Sequence, residues 1–477
     1  MRFIPGPVAP VFRRSVDRAV GSLGFSSMPN RNVFRPRGFA REQLLPHACG
    51  VLWDAGDVVR LLAPSEQRFV RHGTYTGRSV TVAGLLDIPA LRAAFATLLR
   101  AYPILVCRIG IDEYGRGHLL RPASSSPVEL WTRAGDPAEL TMPVHRLDPA
   151  EQMAYVDVVC GPGKLSRVTM YVHHGVADAG HCVELFARFW DCYTDRVMGL
   201  PGAVEPFGHP MPLEWHAERR GIARHGHSGF EDVARPLTPA PPPAGDDGPG
   251  EAVLVRPRRL RLEPAATARI VELSKLHRVS VNALLTAGLL RAYAATAGAG
   301  GAVPVGCLYP VDLRSRLDPP VAPAAGTNMA GLAAFTAEVD GAGCIVELAQ
   351  RISIRLRSDL DSGTVQQSVL HFPDYFGDNR IHSLAGHIAI TNTGVVPHFR
   401  TPDGLQITDY EIVYLSAHPR RSLGPSAAVT FLAYTFAARL TVAILGGPDP
   451  AHLYERVHTE LTAPIRPASA PALSVPS

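Results

Sequence analysis

The sequence predicts an α/β protein built from two halves of comparable size. At 477 residues the chain exceeds what one hydrophobic core usually serves, so two domains of about 200 residues are expected. Strand-like and helix-like apolar patterns alternate along the chain, which is typical of α/β folds. A proline- and glycine-rich linker at residues 236–250 has no apolar period and separates two similar runs of elements. We therefore expect the boundary between the halves at this linker.

The composition excludes several classes of protein. Hydrophobic residues make up 46% of the chain and charged residues 19%, as in globular proteins. The net charge of +4, from 47 basic and 43 acidic residues, is too balanced to indicate a nucleic-acid partner. The seven cysteines are scattered and include no Cys-x-x-Cys pair, so neither a disulfide framework nor a zinc site follows. We expect a cytoplasmic protein, and the early prolines argue against a signal peptide.

The first half begins near residue 61, after an arginine- and proline-rich extension at residues 1–60. A partly alternating pattern predicts a strand at 79–85. Asp87 is a suitable N-cap for the helix that follows, whose first turn contains Pro89. Apolar residues then recur at helical spacing, and a second strand is expected at 104–109. The aliphatic side of this helix is predicted to be core.

A candidate catalytic segment lies in the middle of the first half. Alternating apolar residues predict a strand at 165–172 that ends at His173 and His174. A short loop then leads to Asp178, at the start of an amphipathic helix at 181–197. An imidazole at a strand end can accept and return a proton near neutral pH, because its ordinary pKa is about 6.5. This layout is typical of an acid–base site.

Three other interpretations of these residues stay open on spacing alone. His173 and His174 fit a packed core histidine beside a surface one. With Asp178 and His181 they could also supply metal ligands, although no glutamate or second cluster lies at a recognisable zinc spacing. Cys182 could form a nucleophilic pair with His174, but a buried cysteine that acts as a small hydrophobe is favoured.

The second half is predicted to repeat the first in outline. Its expected elements are a strand at 252–262, helices at 264–276 and 280–296, strands at 303–309 and 330–339, a helix at 344–360, and strands at 386–392 and 407–415. The apolar run 427–445 contains Arg439 and many β-branched residues, which favours two strands joined near Ala437 and Ala438 over a membrane span. The Pro/Ala/Ser-rich tail at 464–477 is expected to be disordered.

A family resemblance adds to this pattern. Residues 168–180 resemble the His-His-x-x-x-Asp-Gly signature of the condensation-domain superfamily, which includes chloramphenicol acetyltransferase-like enzymes. Further blocks resemble the phthiocerol dimycocerosyl transferase family of polyketide-associated acyltransferases. These blocks are residues 309–314, 319–323, 327–328, 366–368, 370–372, 400–402 and 404–405. They follow the family's order over roughly residues 60–460.

The resemblance implies a fold and an assembly. We expect two chloramphenicol acetyltransferase-like domains, at residues 61–235 and 251–463, that form a V-shaped pseudo-dimer. The active site is then expected in the interdomain channel, where ligands often bind. A monomer without a bound cofactor or metal is expected.

The resemblance also implies roles for individual residues. His174 is the expected general base, and His173 is expected to orient the loop. Asp178 is expected to hold the motif loop through an ion pair with Arg314, since arginine offers a bidentate fork. Further candidates for binding the substrate or an oxyanion are Gly175, Thr391, Asn392 and Thr393.

The function implied is O-acyl transfer. The acyl group would move from a coenzyme A or acyl-carrier-protein thioester to a hydroxyl of a polyketide, lipid or glycolipid, so a carrier protein or polyketide synthase is an expected partner. Two alternatives stay open: a stand-alone condensation enzyme that forms an amide, and a non-catalytic domain that binds carrier proteins.

The motif departs from the family at one position. Ala179 follows Asp178 where the family usually has glycine, and glycine comes one place later, at Gly180. Glycine permits a positive φ angle, which alanine rarely adopts. We therefore expect a reshaped loop, with an effect on rate or substrate range.

Overall fold

A computed structural model of the protein describes residues 53–123, 130–201, 205–234, 250–297, 301–376, 388–419, 428–447 and 449–463. Most of the predicted N-terminal extension, the linker up to residue 249 and the tail from residue 464 lie outside the described residues. What we expect of those three segments therefore stays a prediction.

Strands and helices alternate along the described chain, as the sequence predicts. The strands are β1 (Val58–Leu61), β2 (Thr74–Ala83), β3 (Arg108–Ile111), β4 (Gly117–Leu120), β5 (Trp131–Ala134), β6 (Ala154–Cys160), β7 (Leu165–His173), β8 (Val253–Val255), β9 (Arg258–Arg261), β10 (Val303–Asp312), β11 (Ala330–Val339), β12 (Ile388–Val395), β13 (Gln406–Ser416), β14 (Val429–Phe436) and β15 (Arg439–Gly446). The α-helices are α1 (Pro64–Gln67), α2 (Ile88–Ala101), α3 (Ala179–Val197), α4 (Leu213–Glu218), α5 (Pro264–Leu276), α6 (Val281–Ala297), α7 (Ile345–Asp361), α8 (Thr364–Gln367), α9 (Phe372–Tyr375) and α10 (Pro450–Thr462).

Two six-stranded sheets dominate the described fold. The first sheet has the strand order β5-β6-β7-β2-β13-β8, and the second has the order β11-β10-β12-β14-β15-β9. A small sheet of order β1-β4-β3 accompanies the first. Each large sheet has its own hydrophobic core. Helices α2 and α3 pack in the core of the first sheet, and helices α6, α7 and α10 pack in the core of the second.

The first sheet takes strands from both halves of the chain. β13 pairs antiparallel with β2 from Gln406 opposite Ala83 to Ser416 opposite Thr74. β8 pairs with the other edge of β13. Sheet membership therefore does not follow the boundary predicted near residue 250, because the second half contributes two strands to the first sheet.

Two predicted strands are wrong in detail. The single strand at 252–262 is divided into β8 and β9, which lie in different sheets; Pro257 between them has no N–H to donate to a strand ladder. The strand at 104–109 begins only at Arg108, because Pro103–Val106 form a 3-10 turn. Apolar residues in that turn are buried, so their hydrophobic run marks core and not a strand.

The helix after the histidine motif anchors the first half. Asp178 is its N-cap, and its side chain accepts a hydrogen bond from the N–H of His181. The aromatic side chains on one side of α3 are buried, with an exposed fraction of 1% or less. They are Phe186, Phe189, Trp190 and Tyr193. Burial of such large side chains fixes the helix start, and the motif loop with it.

The apolar segment near the C-terminus forms the predicted strand pair. β14 and β15 pair antiparallel, with Phe436 opposite Arg439. The two residues of the turn, Ala437 and Ala438, have φ angles of 47° and 58°. None of the helices in the described ranges is long and apolar enough to cross a bilayer.

This turn predicts a stabilising substitution. A positive φ angle costs an alanine about 1 kcal/mol or more, whereas glycine adopts it freely. We expect Ala438→Gly to raise the free energy of unfolding by about 1 kcal/mol, measured by urea denaturation.

A matched control substitution is expected to lower the free energy of unfolding instead of raising it. Ala268 is exposed within α5, where glycine is a poor helix former, so Ala268→Gly should lower the stability by about 1 kcal/mol. Destabilisation by both substitutions would contradict the assigned turn geometry.

Candidate active site

A cavity of about 370 Å³ is lined by strands from both six-stranded sheets. Its size falls within the range of roughly 300 to 1,000 Å³ that is usual for small-molecule sites. Polar lining residues come from both sides of the cavity. They include Thr74, Thr76, Arg78, His174, Tyr414 and Ser416 from the first sheet and the loop after β7, and Asn328, Thr391, Asn392, Thr393 and Thr430 from the second half. The second sheet contributes most of the apolar lining, which includes Leu308, Pro310, Leu332, Ile390 and Leu432. Such a cavity suits a ligand with a polar reacting end and an apolar chain.

His174 lies at the cavity wall, directly after β7. Its backbone N–H donates to the carbonyl of Thr74 at 2.7 Å. Its Nδ1 lies 3.0 Å from the carbonyl oxygen of Ala177. Because a carbonyl oxygen only accepts, this contact assigns the proton to Nδ1 and the basic lone pair to Nε2. The local loop therefore determines which nitrogen of His174 can act as a base.

The surroundings of His174 keep the imidazole neutral. Burial lowers the pKa of His174 to about 4, and the positive charges of Arg68 and Arg78 act in the same direction. The hydrogen bond to Ala177 opposes this shift. The ring of Phe69 stacks on the imidazole with a centroid distance of 4.3 Å. At neutral pH the imidazole is thus uncharged.

His173 lies behind the cavity and holds the loop. It is fully buried, its Nδ1 accepts the N–H of Gly175 at 3.3 Å, and it also forms a hydrogen bond with the backbone of Phe69. Burial lowers its pKa to about 3, so it too is neutral. The geometry fits the expected orienting role, and of the two histidines only His174 lines the cavity. An exposed member of the pair, as in one alternative, is not found.

Both carboxylate oxygens of Asp178 accept hydrogen bonds from other groups of the protein. Oδ1 accepts the N–H of His181 at 3.0 Å. Oδ2 accepts the N–H of Met329 at 2.9 Å and lies 2.6 Å from Nη1 of Arg314. Burial opposes ionisation, but the attraction of Arg314 and the hydrogen bonds from the N–H groups of His181 and Met329 together outweigh it and lower the pKa of Asp178 to about 2. A carboxylate this strongly held is suited to fixing the loop and not to taking a proton.

Arg314 continues this network across the two halves. Its Nη2 donates to the carbonyl of Thr327 at 2.8 Å. The hydroxyl of Thr327 donates to Glu66 at 2.7 Å, and Glu66 is itself paired with Arg60. A chain of charged and polar contacts therefore connects α1, the motif loop and the loop before β11.

Of the other predicted binding residues, three line the cavity and one does not. Thr391, Asn392 and Thr393 line the cavity on β12. The Asn392 amide is already used, because Nδ2 donates to Asn282 at 3.1 Å and Oδ1 accepts the N–H of Gly394 at 2.9 Å. Gly175 is buried outside the cavity lining, and its N–H is bonded to His173, so its role in binding stays a prediction.

The alanine in the motif causes no backbone strain. Ala179 is the first residue of α3, and its φ angle is not positive. A right-handed helical residue tolerates alanine well, so this position does not require glycine. Ala179 also lines the cavity, and an effect on rate or substrate range stays a prediction.

The structure also bears on the cysteine and metal alternatives. Burial raises the pKa of Cys182 to about 12, so the thiol is protonated and unsuited to attack. It is fully buried, as expected of a small hydrophobe. Within the described ranges there is no group of three or more His, Cys, Asp or Glu side chains placed to hold a metal ion.

Sequence reasoning missed three residues of the site. Asn328 donates through Nδ2 to the carbonyl of His174 at 3.2 Å and lines the cavity. Arg68 and Arg78 also line it. The period-two spacing of Thr74, Thr76 and Arg78 along β2 was the available signal for Arg78, since alternate strand residues share a face.

Comparisons with known proteins agree with this architecture. A family model described as the phthiocerol/phthiodiolone dimycocerosyl transferase C-terminus matches residues 251–445. The chain is 32% identical over 369 residues to the phthiocerol/phthiodiolone dimycocerosyl transferase of Mycobacterium leprae (strain TN), covering 75% of this chain and 86% of the relative.

Solved structures share the fold. Polyketide synthase associated protein 5 from Mycobacterium tuberculosis has a TM-score of 0.70 and 28% identity, over 85% of this chain and 98% of that one. The first condensation domain of the calcium-dependent antibiotic synthetase has a TM-score of 0.59 and 18% identity, over 86% and 98% of the two chains, and shows the fold alone.

These likenesses confirm the predicted pair of chloramphenicol acetyltransferase-like α/β domains. Identity above 30% extends over most of both chains, and the family model matches the second half independently. The protein belongs to the phthiocerol/phthiodiolone dimycocerosyl transferase family of acyltransferases.

Proposed function

We propose that the protein transfers an acyl group from a thioester to the hydroxyl of a polyketide or lipid, with His174 as the general base. The observation that carries the proposal is the neutral imidazole at the cavity wall, with its proton held on Nδ1 by Ala177. Relatives named as dimycocerosyl transferases support the substrate class. The apolar lining from the second sheet fits an acyl chain.

The reaction needs few protein groups. Nε2 of His174 accepts the proton of the acceptor hydroxyl while its oxygen forms a bond to the thioester carbonyl carbon. The resulting tetrahedral intermediate breaks its carbon–sulfur bond, and His174 returns the proton to the departing thiolate. Atoms and charge balance without a covalent acyl-enzyme. Both substrates must therefore be bound together before the transfer.

Other residues hold the motif loop in place or stabilise the charge that develops on the substrate. Asp178 and Arg314 hold the motif loop, and His173 orients it from behind. The hydroxyls of Thr391 and Thr393 are our candidates for hydrogen bonds to the developing oxyanion, because both residues line the cavity. Asn392 is less suited to bind the oxyanion, because its side-chain amide already donates a hydrogen bond to Asn282.

The donor and the partner belong to the same proposal. We propose coenzyme A or an acyl carrier protein as the thiol carrier, and a polyketide synthase as the partner that supplies it in the cytoplasm. The likeness to a polyketide synthase associated protein supports this choice. An amine acceptor in place of an alcohol would mark the amide-forming alternative.

Removal of the base gives the first functional prediction. We expect His174→Ala to lower the rate of thiol release from acyl-coenzyme A with an alcohol acceptor by about 100- to 10,000-fold. The fold should persist, as checked by circular dichroism. His452 is exposed on α10, so His452→Ala is a matched control that should keep full activity. Turnover of the His174 variant at the wild-type rate would exclude the mechanism.

The buried ion pair gives the second prediction. Asp178→Ala and Arg314→Ala should each lower the free energy of unfolding by about 3 to 5 kcal/mol, because each leaves a buried charge without its partner. Both variants should also lose transfer activity. The double variant should cost less than the sum of the two, as measured by urea denaturation.

An exposed ion pair serves as the control for these variants. Arg224 pairs with Asp374, and both side chains are more than 40% exposed. Arg224→Ala should cost no more than about 1 kcal/mol. Equal losses from the buried and the exposed pairs would contradict the structural role of Asp178.

The pKa of His174 predicts the pH dependence of the reaction. The neutral imidazole is the active form, and burial keeps it neutral down to about pH 4. We expect kcat/KM to stay level from pH 7 to pH 5 and to fall about tenfold per pH unit below pH 4. If kcat/KM instead began to fall near pH 6.5, the imidazole would titrate like one exposed to solvent, and the prediction would be wrong.

Folding must be measured across the same pH range. Below about pH 6.5 the unfolded chain binds protons at His173 and His174 that the native state binds only at lower pH. Stability therefore decreases as the pH falls, and circular dichroism at each pH separates unfolding from protonation of the base.

A further inference from the structure

The cavity wall contains two buried arginines that the acyl-transfer mechanism does not use. The exposed fraction is 7% for Arg68 and 1% for Arg78. Both line the same cavity as His174. Neither forms an ion pair within the described part of the chain.

The guanidinium of Arg68 is surrounded by aromatic rings. Its Cζ lies 4.7 Å from the ring centre of Phe69, 4.9 Å from that of Phe372 and 4.8 Å from that of Phe376. Such contacts favour a cation but leave its N–H groups without acceptors. Nε of Arg68 has no hydrogen-bond partner among the described residues. Burial lowers the pKa of Arg68 to about 10, so the side chain remains charged at neutral pH.

Arg78 is held by neutral acceptors only. Nη1 donates to the hydroxyl of Thr76 at 2.7 Å, and Nη2 donates to the carbonyl of Ala179 at 3.1 Å. These bonds fix the guanidinium between β2 and the first residue of α3. They do not neutralise its charge.

Other buried arginines of the described chain show the usual arrangement. Arg108 contacts Asp57 at 3.2 Å, Arg167 contacts Glu411, and Arg314 contacts Asp178 at 2.6 Å. Buried charges are costly unless they are paired, so a carboxylate partner is expected. The two arginines that lack one are the two that line the cavity together with His174.

The acidic groups at the cavity do not supply the missing charge. Asp178 and Asp312 line it, and both carboxylates contact Arg314. The charge of Glu214 acts on Arg68, but Glu214 lies outside the cavity lining, its carboxylate accepts hydrogen bonds from Ser65, and burial raises its pKa to about 7. Three arginines thus accompany the two aspartates, which leaves a positive charge at the reacting end of the cavity. An amine acceptor in its cationic form would be repelled there, whereas an anion would be attracted.

The anion must lie close to the base. Phe69 contacts both groups, since its ring is 4.7 Å from Cζ of Arg68 and 4.3 Å from the imidazole centre of His174. The cation and the base therefore contact the same aromatic ring. This proximity points to a charged group on the reacting part of a substrate and not to the distant phosphates of a thiol carrier.

We propose that the site takes an acidic substrate, whose carboxylate binds Arg68 and Arg78 next to the reacting carbonyl or hydroxyl. The inference rests on the proposed acyl transfer and adds a substrate class to it. Arginine suits the role because its planar fork matches both oxygens of a carboxylate. The carboxylate belongs either to the acyl group or to the acceptor.

Matched substrate pairs distinguish the two sources. Butyryl- and succinyl-coenzyme A have the same chain length, as do a butanediol and a hydroxybutyrate, and each pair differs in one carboxylate. We expect wild-type kcat/KM to be about 10- to 100-fold higher for the acidic member of one pair, the range for a hydrogen-bonded charge. Equal values within both pairs would overturn the inference while leaving acyl transfer intact.

Variants identify the groups responsible. Arg68→Met and Arg78→Met replace a cation by an apolar side chain of similar length, and each should reduce the acidic-to-neutral ratio by about tenfold or more. Arg108→Met, at a buried arginine outside the cavity lining, should leave the ratio unchanged. A fall of equal size for acidic and neutral substrates would assign Arg68 to the transition state or the fold, and would overturn the inference.

Calorimetric titration tests binding without turnover. Succinate should bind to the wild type at low ionic strength and at least tenfold more weakly to Arg68→Met, while butanediol should not show this difference. Binding of succinate in the absence of any acyl transfer would contradict the proposed function but support the anion site. Absence of succinate and hydroxybutyrate binding would overturn the inference.

Discussion

The ion pair between Asp178 and Arg314 is the interaction on which the rest of the site depends. It joins the start of α3 in the first half to the loop after β10 in the second, at 2.6 Å. Both charges are buried, so neither tolerates loss of the other. The same carboxylate caps α3 and accepts the N–H of Met329. A single side chain thus sets the position of a helix, a loop and a neighbouring half at once.

The position of His174, the proposed base, follows from this arrangement. His174 stands between β7 and α3, and both ends are fixed: β7 by its pairing with β2, and α3 by its Asp178 cap. Asn328, from the second half, holds the carbonyl of His174. The strand β13 crosses into the first sheet and contributes Tyr414 to the cavity. Each half therefore completes the other's site, and neither forms the cavity alone.

Local signals in the sequence were sufficient for some elements and not for others. The Asp87 cap, the amphipathic pattern of α3 and the β14–β15 turn depend on residues close in sequence, and these predictions are confirmed. Membership of β13 in the first sheet depends on pairing with a strand more than 300 residues away, which no local pattern encodes. Arg68 looks like a surface residue in sequence, because its burial against two phenylalanine rings about 300 residues away, Phe372 and Phe376, is a tertiary property.

The electrostatics of the cavity connect substrate binding to the strength of the base. Burial lowers the pKa of His174, and the charges of Arg68 and Arg78 lower it further, so the site without substrate holds a neutral but weak base. A carboxylate bound to these arginines would offset part of their charge. The pKa of His174 would then rise toward its ordinary value, and a stronger base would meet the acceptor hydroxyl. An acidic substrate would in this way supply the missing counter-ion and also increase the reactivity of the group beside it, an advantage that a neutral substrate of the same shape lacks.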